Sequence, residues 1–323
     1  MVIKHLVPAA LLSLGLAAAG AVSAQTTWNM ATPYPDAEFH TQNIMQFAED
    51  VSAATGGSLN ITVHSGQSLF KHPEITRAVR TGQVDAGEIL MGNLGNDDPI
   101  FSVDNLPFLI DGYDTARILW DAQRPLVEER MAEDGLVLLY AVPWPGQGFY
   151  TRSELGSVAD LDGLRFRTYN AITGSMANLM GAVPTTVEAV EIPQAFSAGI
   201  VDAMVTSAAT GVRTEAWEFS EFYHDLQAWM PKNMIFVNQR SFDRLSDAEK
   251  AAVLEAAAEA ETRGWAMSQD VFTDSTNALS ERMTYVEPSA ELRAGLREIG
   301  AQMAATWAAE AGEEAAAILE AVR

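Results

Sequence analysis

From Trp28 onward the chain alternates between two hydrophobic periods. Trp28 to Ala31 reads as a short strand, broken by Pro33, Tyr34 and Pro35. Asp36 then stands where it would cap a helix, because Ile44, Phe47, Ala48 and Val51 recur at the i, i+3, i+4, i+7 spacing of one apolar face. Gly56-Gly57 ends that helix. Leu59, Ile61 and Val63 alternate with Asn60 and Thr62 as a second strand, Pro73 to Arg80 reads as a helix stopped by Gly82, and Val84 to Leu90 as a third strand. Alternating β and α segments of this length predict an α/β domain whose sheet edge opens onto a cleft.

The pattern then repeats. Ala78-Val79-Arg80-Thr81-Gly82-Gln83-Val84-Asp85-Ala86 returns 117 residues later as Ala195-Phe196-Ser197-Ala198-Gly199-Ile200-Val201-Asp202-Ala203, a helix ending at glycine and launching a strand in both copies. The strand after Gly57 has an expected counterpart after Gly163, where Leu164, Phe166 and Thr168 alternate with Arg165 and Arg167. Two matches in the same order predict two similar α/β lobes. Further on, Leu245-Ser246-Asp247-Ala248-Glu249 combines a hydrophobic staple with a Ser-x-x-Glu capping box, and an alanine-rich run continues to about Arg282. One unbroken helix there would be roughly 55 Å long, more than one lobe needs. Gly264 inside the run is the place where it would divide into two ordinary helices, so a strut across both lobes and a broken pair are both open.

The first two dozen residues follow a different pattern. Lys4 supplies a positive start, Leu6 to Ala21 is apolar apart from Ser13, and Val22-Ser23-Ala24 is a small-x-small end, which predicts a secretory signal at 1–24 cleaved after Ala24. Pro8 and Gly15 interrupt the core and leave it short of the roughly 20 apolar residues of a spanning helix, so no stable membrane insertion and a periplasmic product are expected.

Composition removes whole classes of function. The chain has 323 residues, 48% of them hydrophobic, which suffices for about two domains of ordinary size. Its formal net charge of −23 would repel a phosphate backbone, so no nucleic acid is expected as a partner. With no cysteine there are no thiol nucleophiles, thiolate metal sites or disulfides. No nucleophile-elbow or phosphate-loop pattern occurs, and Gly146-Gln147-Gly148 after Pro143-Trp144-Pro145 reads as a rigid bend. His64 and His72, with poor metal spacing, read as surface or loop histidines, and no metal or cofactor is expected. Asp97-Asp98 before Pro99 reads as a solvated loop; a secreted enzyme using Asp97, Asp98 or Glu88 as acid and base is the competing class, with no accompanying nucleophile.

Arg165 and Arg167 are the more informative pair. They point to one face of a short strand that runs into Tyr169-Asn170, where a helix carrying Ile172, Met176, Leu179 and Met180 begins. An arginine at the carboxyl end of a strand beside a helix N-terminus is placed to hold an anion with two parallel donors. Pairing of Arg167 with one of the many carboxylates of the chain is the competing account.

In this setting the chain resembles a family. The signal segment, Gly82-x-Val84-Asp85, Leu106-Pro107-Phe108-Leu109, Leu161-x-Gly163-Leu164-Arg165-Phe166-Arg167, Gly199-x-Val201-Asp202-Ala203 and the long late helix are, in that order, similar to the extracytoplasmic solute receptors of tripartite ATP-independent periplasmic (TRAP) transporters, the DctP-like group. The resemblance implies a two-lobe α/β periplasmic binding fold of type II-like form, with a long helix touching both lobes. Lobe I would be built from 25–147 and 234–276, and lobe II from 148–233 and 277–323. It implies closure around one small-molecule solute that is delivered to membrane permease subunits, hinge strands near Gln147–Thr151 and Asn233–Asn238, and no catalysis. It also implies that Arg167 clamps a ligand carboxylate while Arg165 faces away. A further arginine common in relatives is absent from Trp144-Pro145-Gly146-Gln147-Gly148-Phe149-Tyr150-Thr151. The expected cleft set is Tyr34, Glu38, Glu88, Asn93, Trp144, Gln147, Tyr150, Arg167, Tyr169, Asn170 and Trp229. That lining is richer in aromatics and acids than in cations. A small carboxylate and a small amine such as ethanolamine, the latter held by cation–π contact, are therefore both compatible with it, as are delivery to a permease and presentation to a membrane sensor.

Overall fold

In the computed structural model, which describes residues 25–322, the chain opens as β1 (Thr26–Ala31), α1 (Phe39–Ala54), β2 (Leu59–His64), α2 (Ile75–Arg80) and β3 (Ala86–Leu90). The expected secretory signal and its cleavage point lie outside the described residues. After 3₁₀ turns over 91–105 come α3 (Tyr113–Glu133) and β4 (Leu136–Pro143). The chain then crosses into β5 (Gln147–Thr151), β6 (Arg165–Thr168), α4 (Ala171–Leu179), β7 (Val183–Thr186), α5 (Ile192–Ser197), β8 (Ala203–Ser207), α6 (Ala208–Arg213) and β9 (Phe222–His224). It crosses back with β10 (Lys232–Asn238), α7 (Gln239–Asp243) and α8 (Asp247–Arg282), and finishes with β11 (Thr284–Val286), α9 (Ala290–Ala311) and α10 (Glu313–Ala321).

These strands form two mixed sheets, in the orders β2-β1-β3-β10-β4 and β11-β9-β5-β8-β6-β7. Each contains three parallel strands followed by an antiparallel strand that has just crossed from the other lobe, β10 against β3 and β5 against β8. The repeated segment accounts for part of this likeness. Gly82 and Gly199 end α2 and α5 at φ +74° and +65°, a region costly for any residue with a Cβ, and β3 and β8 start four residues later in equivalent places. The second expected match shifts by one strand. β6 pairs on both sides, with β7 and β8, as β1 does with β2 and β3, so the Arg165–Thr168 strand corresponds to β1, and the strand after Gly57 corresponds to the sheet-edge strand β7.

The late helix is one body. Ser246 caps it by accepting from the Glu249 amide, and Glu249 returns a carboxylate to the Ser246 amide at 2.9 Å. Its 36 residues run about 54 Å, packing on α1 and β4 in the first lobe and on α6 and β11 in the second. Gly264 does not break it. A Cβ at 264 would lie 2.4 Å from Val142 Cγ2 and 2.7 Å from Asn43 Nδ2, so the missing side chain lets the helix lie directly on β4. Asp36 does not cap the first helix, which starts at Phe39 with Glu38 at the cap position; Asp36 instead accepts from the Ser65 hydroxyl. The last helices lead from the second lobe to the first: α9 packs on α4 and on the 99–105 turns, and α10 packs on α3, where Arg130 joins Glu314 at 2.6 Å.

The crossings are bonded to each other as well as to their sheets. Trp144 N donates to Pro231 O at 2.8 Å, Gln147 N to Trp229 O at 3.0 Å, and Ala228 N to Gln147 O at 3.0 Å. The ends of both sheets therefore face one another across a narrow gap whose floor is this double crossing.

Candidate ligand-binding cleft

β6 carries Arg167 to that gap, with Phe166 on the opposite strand face buried against Phe149. Arg167 is only 2% exposed. Its Nε donates to Val187 O at 2.9 Å and its Nη1 to Val205 O at 3.2 Å, which hold the guanidinium plane between two strand ends. A guanidinium has five N–H donors, so three remain uncommitted. No carboxylate among the described residues lies within ion-pair distance of it. Burial lowers its pKa to about 10, and it stays charged at neutral pH. Arg165, two residues earlier, is exposed and bidentate to Asp202, Nε at 2.7 Å and Nη2 at 2.6 Å.

Around Arg167 the two lobes leave a cavity of about 50 Å³. A bound water needs about 10–15 Å³, so the space suits one small molecule. Tyr34 and Trp144, edge to face at 5.1 Å, form its aromatic wall, and Tyr169, whose ring lies 5.2 Å from the Arg167 guanidinium carbon, forms another side. A hydrogen-bond chain fixes Tyr169: Trp229 Nε1 donates to its hydroxyl at 2.9 Å, and the hydroxyl donates to Gln147 Oε1 at 3.4 Å. Gln147 Nε2 in turn donates to Pro145 O at 2.9 Å, which sets the amide's orientation. Thr206, Ser207 and Thr210 supply the polar floor, where Ser207 caps α6 through the Thr210 amide.

Two bridges close the gap beside the cavity. His72, from the first lobe, meets Glu188 of the second at 3.3 Å through Nδ1. The Leu90 amide donates to His72 Nε2 at 3.1 Å, so the ring proton sits on Nδ1 and goes to Glu188. Burial alone would raise the Glu188 pKa, but its interaction with His72, and to a lesser degree the Arg167 charge, outweighs it and holds the carboxyl below its usual range. Arg213 Nε donates to Glu38 Oε2 at 2.9 Å across the same gap; here burial dominates and pushes the Glu38 carboxyl up.

Five of the residues expected in the cleft line the cavity together: Tyr34, Trp144, Gln147, Arg167 and Tyr169. Trp229 stands behind Tyr169, and Asn170 caps α4 while its Nδ2 donates to Asn105 Oδ1 at 3.0 Å. Asn93 lies beyond His72, 3.4 Å from its Nε2, and Glu38 belongs to the lobe bridge. Tyr150 does not reach the cavity. It is an odd number of residues from Gln147, hence on the other strand face, and its hydroxyl donates to Ser207 O inside the second lobe. Glu88 also stands back, fully buried in the first lobe two residues behind the cavity-lining Leu90. His72 is not a surface histidine: it is buried between the lobes. Asp97 is exposed, as expected, while Asp98, partly exposed, caps the following turn and meets Arg130 at 2.8 Å. His72, Leu90, Glu188, Ala189, Thr206, Ser207, Thr210 and Pro231 complete the lining. Leu90 and Ser207 are the terminal residues of the strands launched by the two repeated segments, which is the signal that marks them.

Comparison with known proteins places this architecture. The model of the bacterial extracellular solute-binding proteins, family 7 (DctP), matches residues 30–310. The chain belongs to that family. DctP7 of Bordetella pertussis, an extracytoplasmic solute receptor binding pyroglutamic acid, superposes on this family 7 chain with a TM-score of 0.91 at 45% identity, over 92% of this chain and 99% of the other. A marine metagenome TRAP solute-binding protein specific for pyroglutamate, solved with the co-purified compound, gives 0.90 at 38% identity over 93% and 99%. A solute-binding protein of Chromohalobacter salexigens is 24% identical over 260 residues, 77% of this chain and 74% of that protein. The family 7 chain is thus a TRAP-type extracytoplasmic solute receptor with the two-lobe periplasmic binding fold, and such receptors are not enzymes. Among the described residues no helix is long and apolar enough to cross a membrane, and no group of three His, Asp or Glu side chains is placed to hold a metal.

Proposed function

We propose that this receptor captures a small monocarboxylate of the pyroglutamate class in the periplasm and delivers it to the membrane permease subunits of a TRAP transporter. The observation that carries this reading is the buried Arg167 guanidinium, which faces the inter-lobe cavity with three free donors and no carboxylate partner among the described residues. A buried charge without a partner is costly, and a ligand carboxylate supplies the partner with bidentate geometry. One such arginine suits one carboxylate, while the aromatic wall and the Thr206–Ser207–Thr210 floor suit the apolar and amide parts of a small ring. The structures at 38% and 45% identity whose bound compound is pyroglutamate support the same class. An amine is not favoured: the one acid lining the cavity, Glu188, is already engaged by His72.

Closure follows as a population shift. Ligand contacts to both lobes exist only when the gap is shut, so binding favours the shut form by the free energy of those contacts. Mass spectrometry of the compound released from protein purified from the periplasm tests the reading, paired with thermal unfolding on a panel of acids and amines. The expected compound is a small carboxylic acid, and pyroglutamate should raise the midpoint while ethanolamine leaves it unchanged. A released amine, or stabilisation by ethanolamine alone, would overturn it.

A further inference from the structure

Behind the aromatic wall lies a buried polar group that closure and ligand contact do not use. Asn233 opens the ligand side of this group: its Oδ1 accepts from Trp144 Nε1 at 2.9 Å and from the Tyr34 hydroxyl at 3.4 Å. That choice turns its amide nitrogen the other way, to Glu88 Oε1 at 2.7 Å. The Thr32 hydroxyl is hydrogen-bonded to the second Glu88 oxygen, and either oxygen of that pair can carry the shared hydrogen. Both aromatic rings of the wall are thus oriented by one asparagine, and the asparagine is oriented by one carboxyl group. Asn233 and Trp144 also stand at the two crossings between lobes, so the cluster sits under the hinge.

Glu88 is 0% exposed and has no lysine or arginine within ion-pair distance among the described residues. The groups facing it are Thr32, Tyr34 and His40 from the β1–α1 side, Asn233 from β10, and, at longer range, Glu38 and Tyr140. His40 is the one basic neighbour, with Nδ1 at 3.7 Å from Glu88 Oε1, beyond a hydrogen bond. Neither ring nitrogen of His40 has a partner, and the ring packs 4.1 Å from Phe39 and 4.4 Å from Trp144. An imidazolium there would carry two N–H groups without an acceptor, one more than the neutral ring, and a buried charge in an aromatic setting, so His40 is neutral and the cluster's proton belongs to the carboxyl group.

We infer that Glu88 is held as the neutral carboxylic acid and acts through Asn233 as a positioning residue for the Trp144–Tyr34 wall of the ligand cavity. Losing that proton leaves a buried anion with no counter-charge, and opening the hinge to water relieves it, so the closed, ligand-bound form keeps the proton and the open form gives it up more readily. Burial, opposed by the bonds from Thr32 and Asn233, raises the Glu88 pKa to about 7, and burial lowers that of His40 well below the usual range. Since the folded value lies above that of the unfolded chain, the sign is definite: stability is undiminished at acid pH, falls as pH rises from the ordinary carboxyl range to about 7, and is level above it.

Glu88→Gln, which keeps the shape and the acceptor oxygen without a titrating proton, separates this role from a merely structural one. In the ligand-free protein at about pH 6, infrared difference spectra between wild type and Glu88→Gln should contain the C=O band of a protonated, buried carboxylic acid. The thermal midpoint of Glu88→Gln relative to wild type should rise with pH and then level off above about pH 7. For L-pyroglutamate, wild-type affinity should weaken as pH rises towards about 7, by at most tenfold per pH unit, and level off above it, while Glu88→Gln stays flat and Glu88→Leu is weak throughout. Absence of the band, or a Glu88→Gln variant with the wild-type pH profile, would overturn the inference. It rests on the gap being the ligand site, yet the two fail separately: if wild type binds no pyroglutamate at any pH, the carboxylate reading falls, and the ligand-free spectra and midpoints still decide Glu88.

Discussion

Arg167→Ala weakens binding of small carboxylates by roughly 30- to 4,000-fold, the about 2–5 kcal/mol that truncating one partner of a buried, hydrogen-bonded charge pair costs. The expectation rests on where the side chain is anchored. Two of its donors are fixed on Val187 O and Val205 O, so the remaining edge is preorganised and little rotamer entropy is left to lose on binding. Arg167→Lys keeps a charge but loses the fork and the two anchoring bonds, and should recover only part of the affinity. The fold should survive, because the loss of the bonds to Val187 O and Val205 O is offset by removal of a buried cation that has no ion-pair partner among the described residues. Isothermal titration with L-pyroglutamate, read beside ligand-free thermal unfolding, checks both halves. Affinity within about threefold of wild type in Arg167→Ala would show that the guanidinium does not hold the ligand.

Lys232→Met has its largest effect on stability instead. Lys232, at the start of β10, is wholly buried and meets Asp104 at 3.4 Å, while its own amide donates to the same Asp104 oxygen at 2.8 Å. Asn105 Nδ2 donates to the other oxygen at 2.6 Å and, through its own Oδ1, accepts from Asn170 in the second lobe. Burial opposes both charges, raising Asp104 and lowering Lys232, and each is sustained by the other. Removing the ammonium leaves Asp104 buried without its partner, at a cost of about 3–5 kcal/mol. Lys232→Met combined with Asp104→Asn should return most of the loss. Urea unfolding of the ligand-free protein measures this, and a single variant within about 1 kcal/mol of wild type would show that the pair contributes little.

Much of the architecture is legible in the chain because it depends on local pattern. The repeated Gly-x-Val-Asp-Ala segments mark two strands that end at the gap, and alternation on β6 puts Phe166 in the core and Arg167 on the other face. The capping box at Ser246 announces the long helix, whereas Gly264, a weak point by propensity, proves to be a contact with Val142 and Asn43 that only the fold reveals. His72 is illegible for the same reason: its burial is made by Glu188, 116 residues away, and by the Leu90 amide. Glu88 and Tyr150 carry suitable chemistry on suitable strands, but depth along one and face parity on the other remove them from the cavity. The parallel between Gly57 and Gly163 misleads because it matches glycine-then-alternation and ignores which strand lies at a sheet edge.

A calorimetric comparison of L-pyroglutamate with 2-pyrrolidinone, the same ring without its carboxylate, addresses Arg167 most directly. On this account the acid binds wild type and the lactam alone shows no heat at matched concentration, with the discrimination collapsing in Arg167→Ala. Equal binding of the two compounds by wild type would mean that the buried guanidinium reads no carboxylate.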